Sequence, residues 1–386
     1  MHNSTKTAPF ARTMVAAAVL VLCAAGGASA QYAHSPETND TPINGNLPQG
    51  ALPFSWDPTY NVCRGVDPKC YHNWVDDRQM KVLVYSRTAG PRHANIGTAL
   101  GAGKNTQNAT TFVVTCTAEQ PGPPVIRGNC LGSNNTAQQA LRTWLNAEGI
   151  AVDVTEDVTQ LSNLDQYRAV IFMSPTRDTM WKHGSMLLTT NTNLTNNTHL
   201  DAAKTALRQY MRAGGGFVGI HNAFGTEYNW PYYEGLLGNA NYYDHGANQR
   251  GRAFVTGSPD PSTKGLPESF ETIDEWYNLQ PYPTNVKVVL RLDETSLATR
   301  RTTHPGHGDF HPMAWCQNYD GGHVWVTPIG HDRGQFQDGS GFLGQAEFKR
   351  LVVQGIKMTM GLVADMGTPP TVSTTFCPSS PNPNPK

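Results

Sequence analysis

The sequence predicts an α/β fold: a doubly wound, mostly parallel sheet with flanking helices and an antiparallel hairpin extension. Two observations carry this. Between residues 80 and 220, short β-branched apolar runs alternate with segments of helical spacing, and a β-α-β-α-β alternation specifies a parallel sheet with right-handed crossovers. Within it, Gly214-Gly215-Gly216-Phe217-Val218-Gly219-Ile220-His221 closes a helix with glycines, continues as a buried strand, and ends on an imidazole. The C-terminal edge of an open parallel sheet is where the ligand crevice forms, so His221 is the first candidate functional residue.

Residues 1–30 read as a secretion signal: Lys6 and Arg12, an apolar run over 14–25, then Ala28-Ser29-Ala30 before Gln31. That run is too short to span a bilayer and no later one is long enough, so no transmembrane segment is expected. Six cysteines remain beyond the leader, and an even number in an exported chain points to disulfides. Proximity pairs Cys63 with Cys70 and Cys116 with Cys130, leaving Cys316 for Cys377. Without the leader, 27 Lys and Arg face 30 Asp and Glu with no basic cluster, so nucleic acid is not an expected partner.

Residues 31–78 lack sustained periodicity and read as an irregular N-terminal extension. Residues 80–86 form the first strand, followed by Arg92-His93 in a Gly-Pro loop and a Gly/Asn/Thr-rich insertion over 97–135. A helix over 136–148, capped by Asn135 or Thr136 and ended by Gly149, leads into a strand over 150–155. A helical turn over 161–167 and a strand over 169–173 come next. An Asn/Thr-rich insertion over 176–198 follows, holding glycosylation-type sites at Asn193 and Asn196. The helix over 201–212 then delivers the central strand. Beyond His221 an aromatic crowd, with Tyr228, Trp230, Tyr232, Tyr233, Tyr242 and Tyr243 around a helix over 231–237, suits either core packing or a platform for sugar faces. Residues 270–279 and 286–292 read as strands. A hairpin over 311–319 and 323–328 turns at Asp320-Gly321-Gly322, and a helix within 342–361 closes the domain. Residues 366–386 are a Pro-rich tail.

If the first strand joins the same sheet, His93 hangs off the same edge as His221. With Glu275, His311 and His331 they form a set suited to acid/base catalysis, because imidazoles titrate near neutrality. In an extended segment Asp274 and Glu275 point to opposite sides. Glu275 is assigned to acid/base work; Asp274 either binds substrate, fixes a histidine tautomer or caps a loop. Trp276, Trp230, Tyr233 and Trp315 are expected to shape a sugar site. The sequence assigns no cofactor with certainty, and His304-x-x-His307 with His311 could hold a divalent metal such as zinc, which neutral imidazoles suit.

These residues jointly resemble the ThuA-like (trehalose utilisation) family, within the class I glutamine amidotransferase-like fold. The resemblance rests on Lys81-Val-Leu-Val with Arg92-His93, Gly214 to His221, Asp274-Glu275-Trp276-Tyr277, Asp293-Glu294, His311-Pro-Met-Ala-Trp315 and Gly330-His331, in family order, and sets the domain at 79–365. It implies sugar, keto-sugar or glycoside processing by a hydrolase or isomerase, with a carbohydrate as ligand. In amidotransferases of this fold the central strand delivers a nucleophilic cysteine within Gly-x-Cys, and the matching position is His221. Imidazole cannot form the same stable acyl intermediate, so glutamine hydrolysis is not expected. The alternatives are a non-catalytic carbohydrate-binding protein or a cell-envelope protein.

Overall fold

The computed structural model describes residues 56–57, 59–66, 78–116, 130–180, 201–257, 260–300 and 303–378. The leader, most of the extension, Cys70, Asn193, Asn196 and the end of the tail lie outside the described residues. No helix among the described residues is long and apolar enough to cross a membrane.

A small hairpin, β1 (Trp56–Asp57) and β2 (Val62–Gly65), precedes the first central strand, β3 (Gln79–Tyr85). The following insertion holds β4 (Lys104–Gln107) and β5 (Val114–Thr115). Then α1 (Thr136–Ala147), β6 (Ala151–Thr155), β7 (Tyr167–Met173), α2 (Asp201–Arg212) and β8 (Gly216–Ile220) complete the predicted alternation. Beyond them come α3 (Pro231–Leu236), β9 (Tyr242–His245), β10 (Gln249–Val255), β11 (Ser269–Asp274), β12 (Tyr277–Leu279) and β13 (Lys287–Asp293). The hairpin β14 (His311–Tyr319) and β15 (Gly322–Thr327) leads to α4 (Gln345–Thr359).

Strands β6, β3, β7, β8 and β15 pair in that order, all parallel. The strand that comes first in the chain thus lies between its two successors, and loops leaving either side of such a reversal diverge to open a crevice. The helices cover both faces. Val82 and Val84 pack with α1 and α4 through Leu141, Leu145, Leu351 and Ile356. Leu83 and Tyr85, pointing the other way, pack with α2 and α3 through Leu207, Met211 and Leu236. β7 is buried at every position, which is why a strand covered on both faces reads as a continuous apolar run. Each buried aliphatic or Phe contributes about 1.5–3 kcal/mol, so the sheet centre fixes where its strand ends lie. α2 stops as predicted: Gly214 takes φ +82° and its amide bonds back to Met211 O.

Several expectations are corrected. "Mostly parallel" holds for the centre only. Past β15 the 13-stranded sheet runs antiparallel through β14, β13, β10 and β11, far more than a hairpin extension. Residues 270–279 are not one strand: β11 pairs with β10, β12 leaves to pair with β9, and Glu275-Trp276 lies at the break. The helical turn near 161–167 lies earlier, over Val158–Asn163, and Tyr167 already belongs to β7. Part of the extension is regular, since β2 pairs with β14. Residues 366–378 of the tail pack on the domain: Leu362 bridges Val372, and Cys377 is buried. Cys116–Cys130 and Cys316–Cys377 are bonded as expected. Cys63 is also disulfide-bonded, and its expected partner lies outside the described residues.

Candidate active site

Three parallel strands end in loops that each deliver a histidine to one point. His93 follows β3, His221 is the first residue past β8, and His331 follows β15 by way of Gly330. Glu275 reaches the same point from the break between β11 and β12. One donor atom from each of the four lies within 4.8 Å of the others. His331 Nδ1 is 3.1 Å from Glu275 Oε2 and 3.4 Å from His221 Nε2, and His221 Nε2 is 3.8 Å from Glu275 Oε2. His221 takes φ +53°, a left-handed conformation that costs a non-glycine residue on the order of 1–3 kcal/mol and persists where packing over-determines it.

The hydrogen bonds fix how these rings face. A carbonyl can only accept, so His221 Nδ1 carries the proton donated to Pro328 O at 3.0 Å, and its Nε2 lone pair faces the cluster. Tyr277, through its hydroxyl, lies 3.0 Å from that Nε2. Burial, then the neighbouring charges of His93 and His331, hold His221 well below the usual imidazole range. Burial and His331 likewise push His93 down to about 4. Burial, the largest single influence, would lower His331 and raise Glu275, but their mutual hydrogen bond together with the surrounding opposite charges outweighs it, so His331 titrates above and Glu275 below its ordinary value. The result is two neutral imidazoles beside an ion pair.

A cleft of about 560 Å³ opens above, within the usual range for small-molecule sites. His93, Glu275, Tyr277, Asn222, Tyr242 and His245 are among its walls, with Tyr228 and Asn229 at its side. His245 Nε2 lies 3.7 Å from Glu275 Oε2.

His93, His221, Glu275 and His331 are thus brought together, and His311 is not. His311 Nδ1 binds Glu294 Oε1 at 2.8 Å and its Nε2 binds Tyr277 O at 2.8 Å, so both nitrogens face acceptors. His307 Nε2 accepts from the Leu279 amide and His304 Nδ1 from the Gly306 amide. The loop spacing His304-x-x-His307 with His311 therefore gathers no set of open donor atoms. Asp274 does not reach the cleft either. It is buried, its Oδ1 accepts from Glu275 N, and its Oδ2 accepts from Gly330 N and Gln335 Nε2, making it a loop cap. The expected sugar aromatics are core instead. Trp276 Nε1 donates to Gln249 O, Trp315 Nε1 to Leu237 O and the Tyr233 hydroxyl to Ala223 O, each ring buried. Trp230 stacks on Tyr232 and Tyr233. Tyr277 and Asn222 are not singled out as site residues by the sequence, although Tyr277 stands in the same Asp274-Glu275-Trp276-Tyr277 motif, while Tyr228, Tyr242 and His245 come from the aromatic-rich stretch after His221. All five described cysteines with known bonding state are in disulfides, so none of them offers a thiol nucleophile.

The fold and site define a mixed α/β protein whose parallel centre carries a histidine–carboxylate cluster at its C-terminal edge. The ThuA family, described as "Trehalose utilisation", matches residues 125–358, and the chain belongs to that family. A ThuA-like protein from Bacteroides uniformis is 20% identical, with 75% of this chain and 95% of that one covered and a TM-score of 0.47. One from Parabacteroides merdae is 13% identical, with 73% and 90% covered and a TM-score of 0.44. No curated protein matches the chain.

Proposed function

We propose that the chain is an exported enzyme that processes a sugar or keto-sugar glycoside at the crevice formed by His93, His221, Glu275 and His331. The observation that carries this reading is the convergence of the four residues from four separate loops, two of which, His93 and Glu275, line a cleft. Membership of the trehalose utilisation family supplies the substrate class. The walls suit it: Tyr228 and Tyr242 bring aromatic rings to a pyranose, and Asn229 brings an amide to its hydroxyls. The leader and the disulfides support export.

The chemistry available is proton transfer. The His331–Glu275 pair holds a proton within reach of the cleft, and His221 and His93, kept neutral, can accept one. Glutaminase chemistry is not expected, since His221 stands where a cysteine would be needed.

The test is turnover of oxidised and unoxidised disaccharides, followed by mass spectrometry. Glu275→Gln and His331→Ala should fold normally and lose roughly 10²-fold or more in kcat, the usual share of a positioned acid or base. Sugar binding that survives both substitutions with no product from the wild type would make the protein a binding module instead.

A further inference from the structure

The geometry points to a divalent transition-metal centre of the zinc type, held by His93, His221, His331 and Glu275 rather than by the loop histidines. This assignment rests on the functional reading only for where the working centre lies, and metal binding is read without any sugar.

Donor spacing is the first reason. Zinc binds imidazole nitrogen at about 2.0–2.1 Å and carboxylate oxygen at about 2.0–2.2 Å, so a tetrahedron sets its donors about 3.4 Å apart. The separations among His221, His331 and Glu275, 3.1, 3.4 and 3.8 Å, bracket that value, and His93 brings a donor atom within 4.8 Å of all three. Among the described residues no other group of three or more His, Cys, Asp or Glu gathers in this way. Imidazole and carboxylate donors suit zinc and its first-row neighbours.

The surrounding bonds are those a metal site needs. His221 hands its second nitrogen to the Pro328 carbonyl, which locks the tautomer and aims Nε2 inward. Asp274 clamps the backbone on both sides of the centre, at Glu275 N and at Gly330 N beside His331. Tyr277 can yield its place: its hydroxyl lies 3.0 Å from His221 Nε2 but also 3.4 Å from Asn222 Oδ1, and turns to the latter once the lone pair is taken.

The cluster by itself leaves something unpaid. His93 Nδ1 is buried with no hydrogen-bond partner, a state that costs on the order of 1–3 kcal/mol. Three imidazoles packed edge to face, with ring centroids 4.7 to 5.7 Å apart, can carry little positive charge together. Three imidazoles converging beside one carboxylate are what a cation would order. When bound, such an ion supplies Lewis acidity at the cleft floor. With the ion bound, the four residues act as ligands in place of the proton-transfer roles they hold in its absence, and His245, which presents Nε2 to the same carboxylate from the cleft wall, is the imidazole left to move protons.

The test uses the full chain secreted with its own leader. Elemental analysis is done before and after dialysis against a chelator, and Zn2+ and Co2+ are then titrated back by calorimetry, by the shift in Tm and, for Co2+, by visible absorption. The expected result is about one zinc per chain as isolated, a raised Tm on adding Zn2+ to chelated protein, and the strong visible bands of four-coordinate Co2+. His331→Ala and Glu275→Gln, both partly exposed and so tolerant of change, should weaken Zn2+ binding by more than the roughly 10–100-fold that losing an outer-shell partner costs. His304→Ala and His307→Ala should leave it unchanged. No metal retained and no response to Zn2+ or Co2+, or equal binding in His331→Ala and Glu275→Gln, overturns the assignment. Undiminished sugar turnover by metal-free protein would sink the metal centre and keep the functional reading. Zinc bound at these residues, with no turnover of any sugar offered, would keep the centre and sink that reading.

Discussion

Glu294 begins the turn after β13, and its carboxylate accepts from the His307 amide and from His311 Nδ1. Burial pushes this carboxyl up. The hydrogen bonds from His311 and the His307 amide, with the charges of His311 and Arg300, outweigh burial and hold it down at about 2. A carboxylate depressed from its ordinary value of 4.5 adds stability that is present above that value and is lost as pH falls through about 2. Urea unfolding of wild type and Glu294→Gln across that acid range should show wild type losing the stability difference between them as the pH drops, with the two converging near pH 2. A difference that stays constant with pH would mean the carboxylate is not engaged. The contrast with the cleft is instructive at this scale. His311 spends both nitrogens on acceptors and is structural, whereas His221 spends one and keeps one inward. Both were legible in sequence as histidines at strand ends. Which nitrogen meets what depends on partners tens of residues away, and residue type does not carry that.

Gly330 joins three of the loops that make the centre. Its amide donates to Asp274 Oδ2 at 2.8 Å and its carbonyl accepts from Asn95 Nδ2 at 2.6 Å, so the loops of His331, Glu275 and His93 meet at one residue. It takes φ +134°, and a Cβ there would lie 3.0 Å from Ile220 Cγ2 and 3.3 Å from His221 Cβ, so the close approach needs glycine. Asn95→Ala removes the donor from a buried carbonyl and should cost about 1–3 kcal/mol of stability. Because it frees the His93 loop from the His331 loop, kcat should fall by more than about tenfold with KM little changed, as misplacement by an ångström can cost more than that. Stability lost with kcat intact would leave the bond structural only. Elements were read well where one local signal decides them: the glycine stop after α2, the apolar run of β8, the Asp-Gly turn between β14 and β15. The break at Glu275 carries no local mark, since residues 270–279 are rich in aromatic and β-branched side chains and hold no Gly or Pro, and only the pairing of β11 with β10 and β12 with β9 separates the two strands. The aromatics misled for a related reason. Trp276, Trp315 and Tyr233 each find a backbone carbonyl for their polar atom inside the core, and composition cannot distinguish that from an exposed sugar platform.

Across the whole molecule the centre depends on two halves of one sheet. The parallel block supplies His93, His221 and His331, while Glu275 comes from the antiparallel half, so the cleft survives only while the halves keep their relation. The segment after α4 braces that relation. Lys357, on α4, binds Glu148 at the end of α1 and the carbonyls of Asp365 and Thr368, Phe376 stacks on His323 of β15, and Cys377 is bonded to Cys316 of β14. Cys316 and Cys377 are 61 residues apart and buried, whereas Cys116 and Cys130 are 14 apart, in an insertion remote from the seam. Loop-closure entropy assigns about 4 kcal/mol to the longer crosslink and about 3 kcal/mol to the shorter. The Cys316→Ala/Cys377→Ala protein should therefore lose more unfolding free energy in urea than the Cys116→Ser/Cys130→Ser protein, and turnover should fall with it because the seam beside β15 loosens. If the two losses are equal and turnover is untouched in both, the tail closes a chain end without bracing the site, and the relation of the halves must be held by β14 and β15 alone.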